Sequence, residues 1–273
     1  MSSHSRDKKY MNLFFSYGVI STLLYVFFIA LPILALLYAA FLGHDFFGSV
    51  TSPMVYKALW LSAYTSITSI IVIILIGTPV GYILAHHKNG FFRIVDVLIE
   101  LPIVLPPVVA GIALLMAFGR NGIVGSYLEH MSISIPFTTV AVILAQIFVS
   151  APFYIRSARL GFESVGYTYE DISRTLGASP METFWRVSLP LAWPTLLGGI
   201  ALSWARALSE FGATIMFAGS IIGKTQTLPL AVLRTMETDV NQAIAISVLA
   251  LLISVLILVL LGCIARFYQR GPS

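Results

Sequence analysis

Long apolar runs separated by short polar stretches dominate this chain. Six runs stand out, near 13–42, 58–85, 97–118, 137–162, 193–217 and 243–267. A hydrocarbon core of about 30 Å needs about 20 helical residues rising ~1.5 Å each, and every run supplies that length. The pattern predicts an all-α integral membrane protein with six transmembrane helices in one domain, 13–267. It leaves a short N-terminal segment, 1–12, and a tail, 268–273, outside the membrane. The longest polar interruption, 163–190, falls between the fourth and fifth runs.

Charge placement sets an orientation. With a cytoplasmic N-terminus, the inner segments hold Arg6, Lys8, Lys9, Lys88, Arg93, Arg156, Arg159, Arg174, Arg186, Arg266 and Arg270. The outer ones hold Lys57, Arg120, Lys224 and Arg234. Positive residues concentrate on the cytoplasmic side of membrane proteins. Eleven against four therefore predicts a multi-pass cell-membrane protein with both termini and the 163–190 loop in the cytoplasm. The net charge of +4 then reflects topology and gives no reason to invoke nucleic acid. A hydrophobic share of 58% and a mean hydropathy of +0.91 agree with a lipid environment. Cys263 is the one cysteine, so no intrachain disulfide can form and no metal site is expected. His86 and His87, being adjacent, point apart on a helix.

The second and third runs carry interruptions, in the second Gly77-Thr-Pro79-Val-Gly81 near its cytoplasmic end. The third contains Glu100-Leu-Pro102 and Pro106-Pro107, then Gly111, and a kink or break is expected near 102–107. Irregular backbone at membrane depth survives only against protein or a water-filled cavity. That run therefore packs inside or lines a path, unless its prolines are merely the ones common in membrane helices. In the fifth run, Ser203, Arg206, Glu210 and Thr214 fall at about 0°, 300°, 340° and 20° on one continuous helix. Such a polar stripe should face protein or water, with Arg206 and Glu210 placed to neutralise each other. It reads either as a pathway or dimer-axis surface, or as a structural ion pair between helices. Beyond it, Thr227 to Glu237 predicts a short interfacial helix with Thr227 as cap. The segment from Ala218 to Thr225 imitates a phosphate-binding loop. It lacks the first glycine and a preceding strand, so nucleotide binding is rejected.

The stretch from Tyr169 to Pro190 is the most informative. Gly177 is suited to close one short helix, and Ser179, Pro180 and Glu182 to open another. From Asp171-Ile172-Ser173, three residues lead to Gly177, nine more to Val187, and the stretch ends in Leu189-Pro190. This spacing resembles the EAA loop of permease subunits of ABC importers, with Asp171 in place of its Glu and Ile172 and Ser173 in place of its alanines. Gly77-Thr-Pro79, the Glu100 to Gly111 block, Ser203-Trp-Ala-Arg206 through Gly212, and Thr227-Leu-Pro229 look like molybdate/tungstate permeases, and related sulfate permeases share parts of these blocks.

The resemblance implies a type I ABC importer permease fold and a non-catalytic pore subunit. Its expected partners are a second copy of itself, two cytoplasmic ATPase subunits that hold ATP and magnesium, an external oxyanion-binding protein and membrane lipid. No cofactor is expected in this chain. The ATPase-coupling residues so implied are Asp171, Ile172, Ser173, Arg174, Gly177, Ala178, Leu189 and Pro190. The translocation-pathway residues are Pro106, Pro107, Gly111, Ser203, Arg206, Glu210 and Gly212. Two rivals stand beside this reading. An ion-coupled secondary transporter would use Arg206 and Glu210 as a relay, and a membrane anchor would hold a soluble enzyme through the loop. The first leaves the EAA spacing unexplained, and the second leaves the interrupted third helix and the stripe on the fifth without purpose.

Overall fold

A computed structural model describes residues 3–43 and 46–269, with side chains for 14–43 and 46–263. Of the tail expected over 268–273, residues 268 and 269 end the last helix and 270–273 lie outside the described residues. The chain runs through α1 (Ser3–Leu42), α2 (Phe46–Val50), α3 (Pro53–His86), α4 (Gly90–Val104), α5 (Pro107–Phe118) and α6 (Gly125–His130). There follow α7 (Thr139–Thr175), α8 (Pro180–Thr183), a π-helical turn (Phe184–Ser188), α9 (Leu189–Leu208), α10 (Gly212–Ala218), α11 (Leu228–Met236) and α12 (Val240–Gln269). No strand occurs among the described residues.

Five of the described helices, or helix pairs, are long and apolar enough to cross a membrane by themselves. The sixth crossing is broken, as the prolines predict: α4 and α5 meet at a bend of 117°. The contacts of the pair reach two distant parts of α7. Arg159 of α7 binds Asp96 of α4 through its guanidinium. Leu114 and Phe118 of α5 instead pack against Ala141, Val142 and Ala145, at the other end of α7. Val142 and Arg159 are separated along α7 by about 26 Å, close to a full membrane core.

The core is built on α7, which packs against α3 and α9 in one layer and against α5 and α10 in the next. Close approach depends on glycines. A Cβ at Gly81 would lie 2.6 Å from Ala158 Cβ, and one at Gly199 would lie 2.5 Å from Ser157 Cβ. Small residues let backbones meet where lipid offers no hydrophobic drive to association. Ile70, Ile73, Tyr154, Phe162 and Leu196 fill the space around these contacts. At the opposite end, α11 is more enclosed than an interfacial helix: Leu228 and Ala231 are buried with Val55, Ala58 and Ile246. Its Thr227 cap makes no side-chain cap bond. The first helix is different, since none of its apolar window is buried.

The fourth and fifth segments depart from the expected boundaries. The fourth continues to Thr175, across one non-helical residue, Gly166 at φ 72° and ψ 157°. The fifth is not a continuous helix. It stops at Leu208 and restarts at Gly212, so the expected stripe is divided between two helices. Thr214 is buried on the second of them.

Gly81→Val should lower stability by about 1–3 kcal/mol through overpacking against α7. Gly198→Ala, where an added Cβ meets nothing within 4 Å, should leave stability equal or slightly higher. Thermal unfolding of the detergent-solubilised proteins checks both.

Candidate functional site: the 167–190 segment and the broken helices

The segment after Gly166 forms a helix to Thr175 and then reverses. Gly177 sits at φ 92°, where an L side chain is strained, and its amide donates to the Arg174 carbonyl at 3.0 Å. The second helix opens as expected. Ser179 Oγ accepts from the Glu182 amide at 3.3 Å, and the Glu182 carboxylate accepts from the Ser179 amide at 2.9 Å. This reciprocal pair satisfies two otherwise orphaned donors. A π turn follows because Pro190 has no N–H to continue an ordinary ladder, and the Leu189 amide donates five residues back, to Phe184.

Side chains from this segment divide into two groups. Asp171, Ile172, Arg174 and Gly177 are exposed, and Leu176 between them is 82% exposed. Met181 and Trp185, the latter 59% exposed, extend the same outward apolar surface and had no signal in the spacing alone. Ser173, by contrast, bonds Thr183 across the reversal at 3.1 Å. Leu189 packs on the Tyr154–Phe162 core, Ala178 is half-buried and Pro190 is exposed.

The residue that sequence reasoning passed over is Glu170. It lies one position before the Asp171 of the spacing, and its side chain is 3% exposed. Its Oε1 accepts from Ser188 Oγ at 2.6 Å, and its Oε2 lies 2.9 Å from His86 Nε2. Tyr82 Oη is 3.5 Å away and the Arg174 guanidinium 3.9 Å away. A buried carboxylate persists only when so surrounded. The available signal was its four-residue spacing to Arg174, shared by many solvated helix faces.

The second group of expected residues lies deeper. Arg206 and Glu210 meet at 2.8 Å, although the helix ends between them. Glu210 is fully buried on its side chain, and its Oε1 accepts from the Ala213 amide at 2.8 Å, satisfying a donor freed by the break. Ser203 donates to the Ser150 carbonyl at 2.8 Å. Pro107, Gly111 and Gly212 come together: a Cβ on Gly212 would lie 2.5 Å from Pro107 Cβ, and one on Gly111 would lie 2.7 Å from Met216 Cβ. Pro106 is exposed at the bend. The two broken helices thus pack on each other through α5 and α10. The 218–225 segment is a turn tied to the start of α7, with Thr139 donating to the Lys224 carbonyl at 2.9 Å. Among the described residues no group of His, Cys, Asp and Glu has the make-up of a metal site.

Comparison with known proteins accounts for this arrangement. Residues 77–271 match the family model described as the binding-protein-dependent transport system inner membrane component. The molybdenum transport system permease protein ModB of Mycobacterium tuberculosis is 47% identical over 221 residues, 81% of this chain and 83% of that protein. The probable transport system permease protein NifC of Clostridium pasteurianum is 42% identical, over 75% of this chain and 72% of that protein. The sulfate transport system permease protein CysT of Escherichia coli is 34% identical, over 81% of this chain and 80% of that protein. Among solved structures, a bacterial ABC transporter for alginate import matches with a TM-score of 0.73 at 17% identity, covering 96% of this chain and 97% of that one. The MetNI methionine ABC transporter matches with a TM-score of 0.64 at 20% identity, covering 80% and 99%. With its broken crossings and its 167–190 reversal, the chain belongs to the family of binding-protein-dependent transport system inner membrane components, the non-catalytic permease subunits of ABC importers.

Proposed function

We propose that this permease moves molybdate or tungstate into the cytoplasm. The observation that carries the substrate is the 47% identity to ModB over most of both chains, against 34% to the sulfate permease CysT. Sulfate import is the second reading, favoured by that same CysT likeness over 81% of this chain. Both substrates are tetrahedral oxyanions, and selection between them is assigned here chiefly to an external binding protein.

In this reading two copies pair about a two-fold axis, and the 167–190 segment of each docks on a cytoplasmic ATPase. Both chain termini then lie in the cytoplasm. The exposed Ile172, Leu176, Met181 and Trp185 support docking, since an apolar surface on a loop outside the membrane favours a protein partner. Asp171, Arg174 and Gly177 complete the surface, while Ser173, Ala178, Leu189 and Pro190 hold its shape. ATP closing the ATPase pair pushes the two coupling segments together and turns the pore outward. Hydrolysis releases them.

The pathway is assigned to the faces built by Pro106, Pro107, Gly111, Ser203, Arg206, Glu210 and Gly212. Support comes from the break at 209–211 and from Arg206, an ionisable side chain still 27% exposed at membrane depth.

Three outcomes are expected. Gly177→Pro cannot adopt φ 92° and loses the amide bonded to Arg174, so co-purification of the ATPase should fall by about tenfold. Unchanged ATPase recovery would remove the coupling assignment. In proteoliposomes with ATPase and binding protein, labelled molybdate uptake should require ATP and be suppressed by excess tungstate but not by sulfate. ATP-driven sulfate uptake in its place would move the substrate to the second reading. Finally, Glu210→Ala should cost about 1–3 kcal/mol by leaving the buried Ala213 amide without its acceptor. If Arg206 and Glu210 serve the pathway, the folded double variant Arg206→Met/Glu210→Gln should still import poorly. Full recovery of uptake would reduce the pair to a structural one.

A further inference from the structure

The coupling segment joins its membrane helix through a weak link. Gly166 interrupts the α7 hydrogen-bond ladder at φ 72°, and an added Cβ there would meet nothing within 4 Å. The glycine is demanded by backbone angle, not by crowding. A single non-helical residue with open space around it is a pivot, and a push on 171–185 would rotate the segment there unless something else held it.

Glu170 is placed to hold it. Four residues past the pivot, its carboxylate reaches two other elements at once. His86 is the last residue of α3, and Ser188 ends the π turn that starts α9. The His86 ring is fixed from its other side, where Nδ1 faces the Tyr82 carbonyl at 2.8 Å. Nε2 lies 2.9 Å from a Glu170 carboxylate oxygen, within hydrogen-bond distance. The contact is a charge-assisted hydrogen bond, shielded from water by aromatic rings. Tyr82 packs edge-on against Phe162 and Phe184, with centroids 5.2 and 5.0 Å away, and Tyr167 meets the His86 ring at 5.6 Å.

We propose that Glu170 is the positioning residue of energy coupling: it fastens the coupling segment to the ends of α3 and α9 so that all three move as one body. The push delivered by the ATPase then enters two membrane-crossing helices directly and bypasses the Gly166 pivot. The inference rests on the docking reading above. It assigns to Glu170 no contact with ATPase or oxyanion.

The test uses the full complex with its ATPase. In a Cys263→Ser background, spin labels on the exposed positions Thr175→Cys and Lys88→Cys, carried by one protomer per complex, report the distance between the coupling segment and the end of α3. The expected distribution is narrow and is unmoved by ATP binding, because both labels ride on one body. In Glu170→Gln it should broaden and shift with ATP. The same variant should retain its ATPase partner and basal hydrolysis, while labelled molybdate imported per ATP hydrolysed falls about tenfold for the loss of a charge-assisted bond. A merely structural defect would lower import and hydrolysis together. An ATP-dependent shift without the Glu170 change, or a Glu170→Gln distribution as narrow as before, would overturn the proposal. If Glu170→Gln does not assemble, His86→Gln at the rim of the site must give the same broadening. Absence of the ATPase from the preparation with Glu170 intact is a different result, and it would strike the docking reading instead.

Discussion

A bilayer core offers no water to a backbone amide or carbonyl, and each interruption of this fold has to be satisfied from within the protein. At the bend between α4 and α5, Pro106 and Pro107 bring no N–H at all. The adjoining ladders close through Leu105 to Leu101 at 3.1 Å and Ala110 to Pro106 at 3.0 Å. Between α9 and α10, the Ser209 and Glu210 amides turn back to Ala205 and Ala207. The Ala213 amide is met by the Glu210 carboxylate. In each place the break and its compensation are separate residues that have to be present together.

That constraint explains why the broken helices are partners. An interrupted helix is shorter than the membrane and exposes its ends, so it is stable only against another element. Here α5 and α10 supply each other's surface. The glycine at 111 and the glycine at 212 allow an approach that any side chain would block. The resulting contact lies next to the Arg206–Glu210 pair, so backbone irregularity and membrane-depth charge share one region. A seam made of short, glycine-lined contacts is easier to open than interdigitated long side chains, which is what the proposed pathway would require.

The coupling segment obeys the opposite logic. Its outward face carries exposed apolar side chains, whereas its inward face is fastened by polar groups: Ser173 to Thr183, and Glu170 to His86 and Ser188. Hydrogen bonds to a buried carboxylate have narrow geometric tolerance, so they define position better than apolar contact does. In the proposed coupling role, that stiffness lets the segment transmit a displacement without absorbing it.

Much of this was legible along the chain because the relevant interactions are local. Span length follows from hydropathy and rise per residue. The kink at 102–107 follows from proline, the Ser179–Glu182 box from four adjacent residues, and the Arg206–Glu210 contact from i,i+4 spacing. The family spacing from Asp171 to Pro190 identified the loop. Tertiary structure decided the rest. The stop at Leu208 depends on Glu210 finding the Ala213 amide and on α5 covering the restarted helix. Likewise, Glu170 rather than Asp171 became the buried carboxylate because the positive φ at Gly166 resets the rotational phase of the following helix. Which face then turns inward depends on where α3 and α9 place His86 and Ser188. Those residues are distant in sequence, and no local periodicity carries their position.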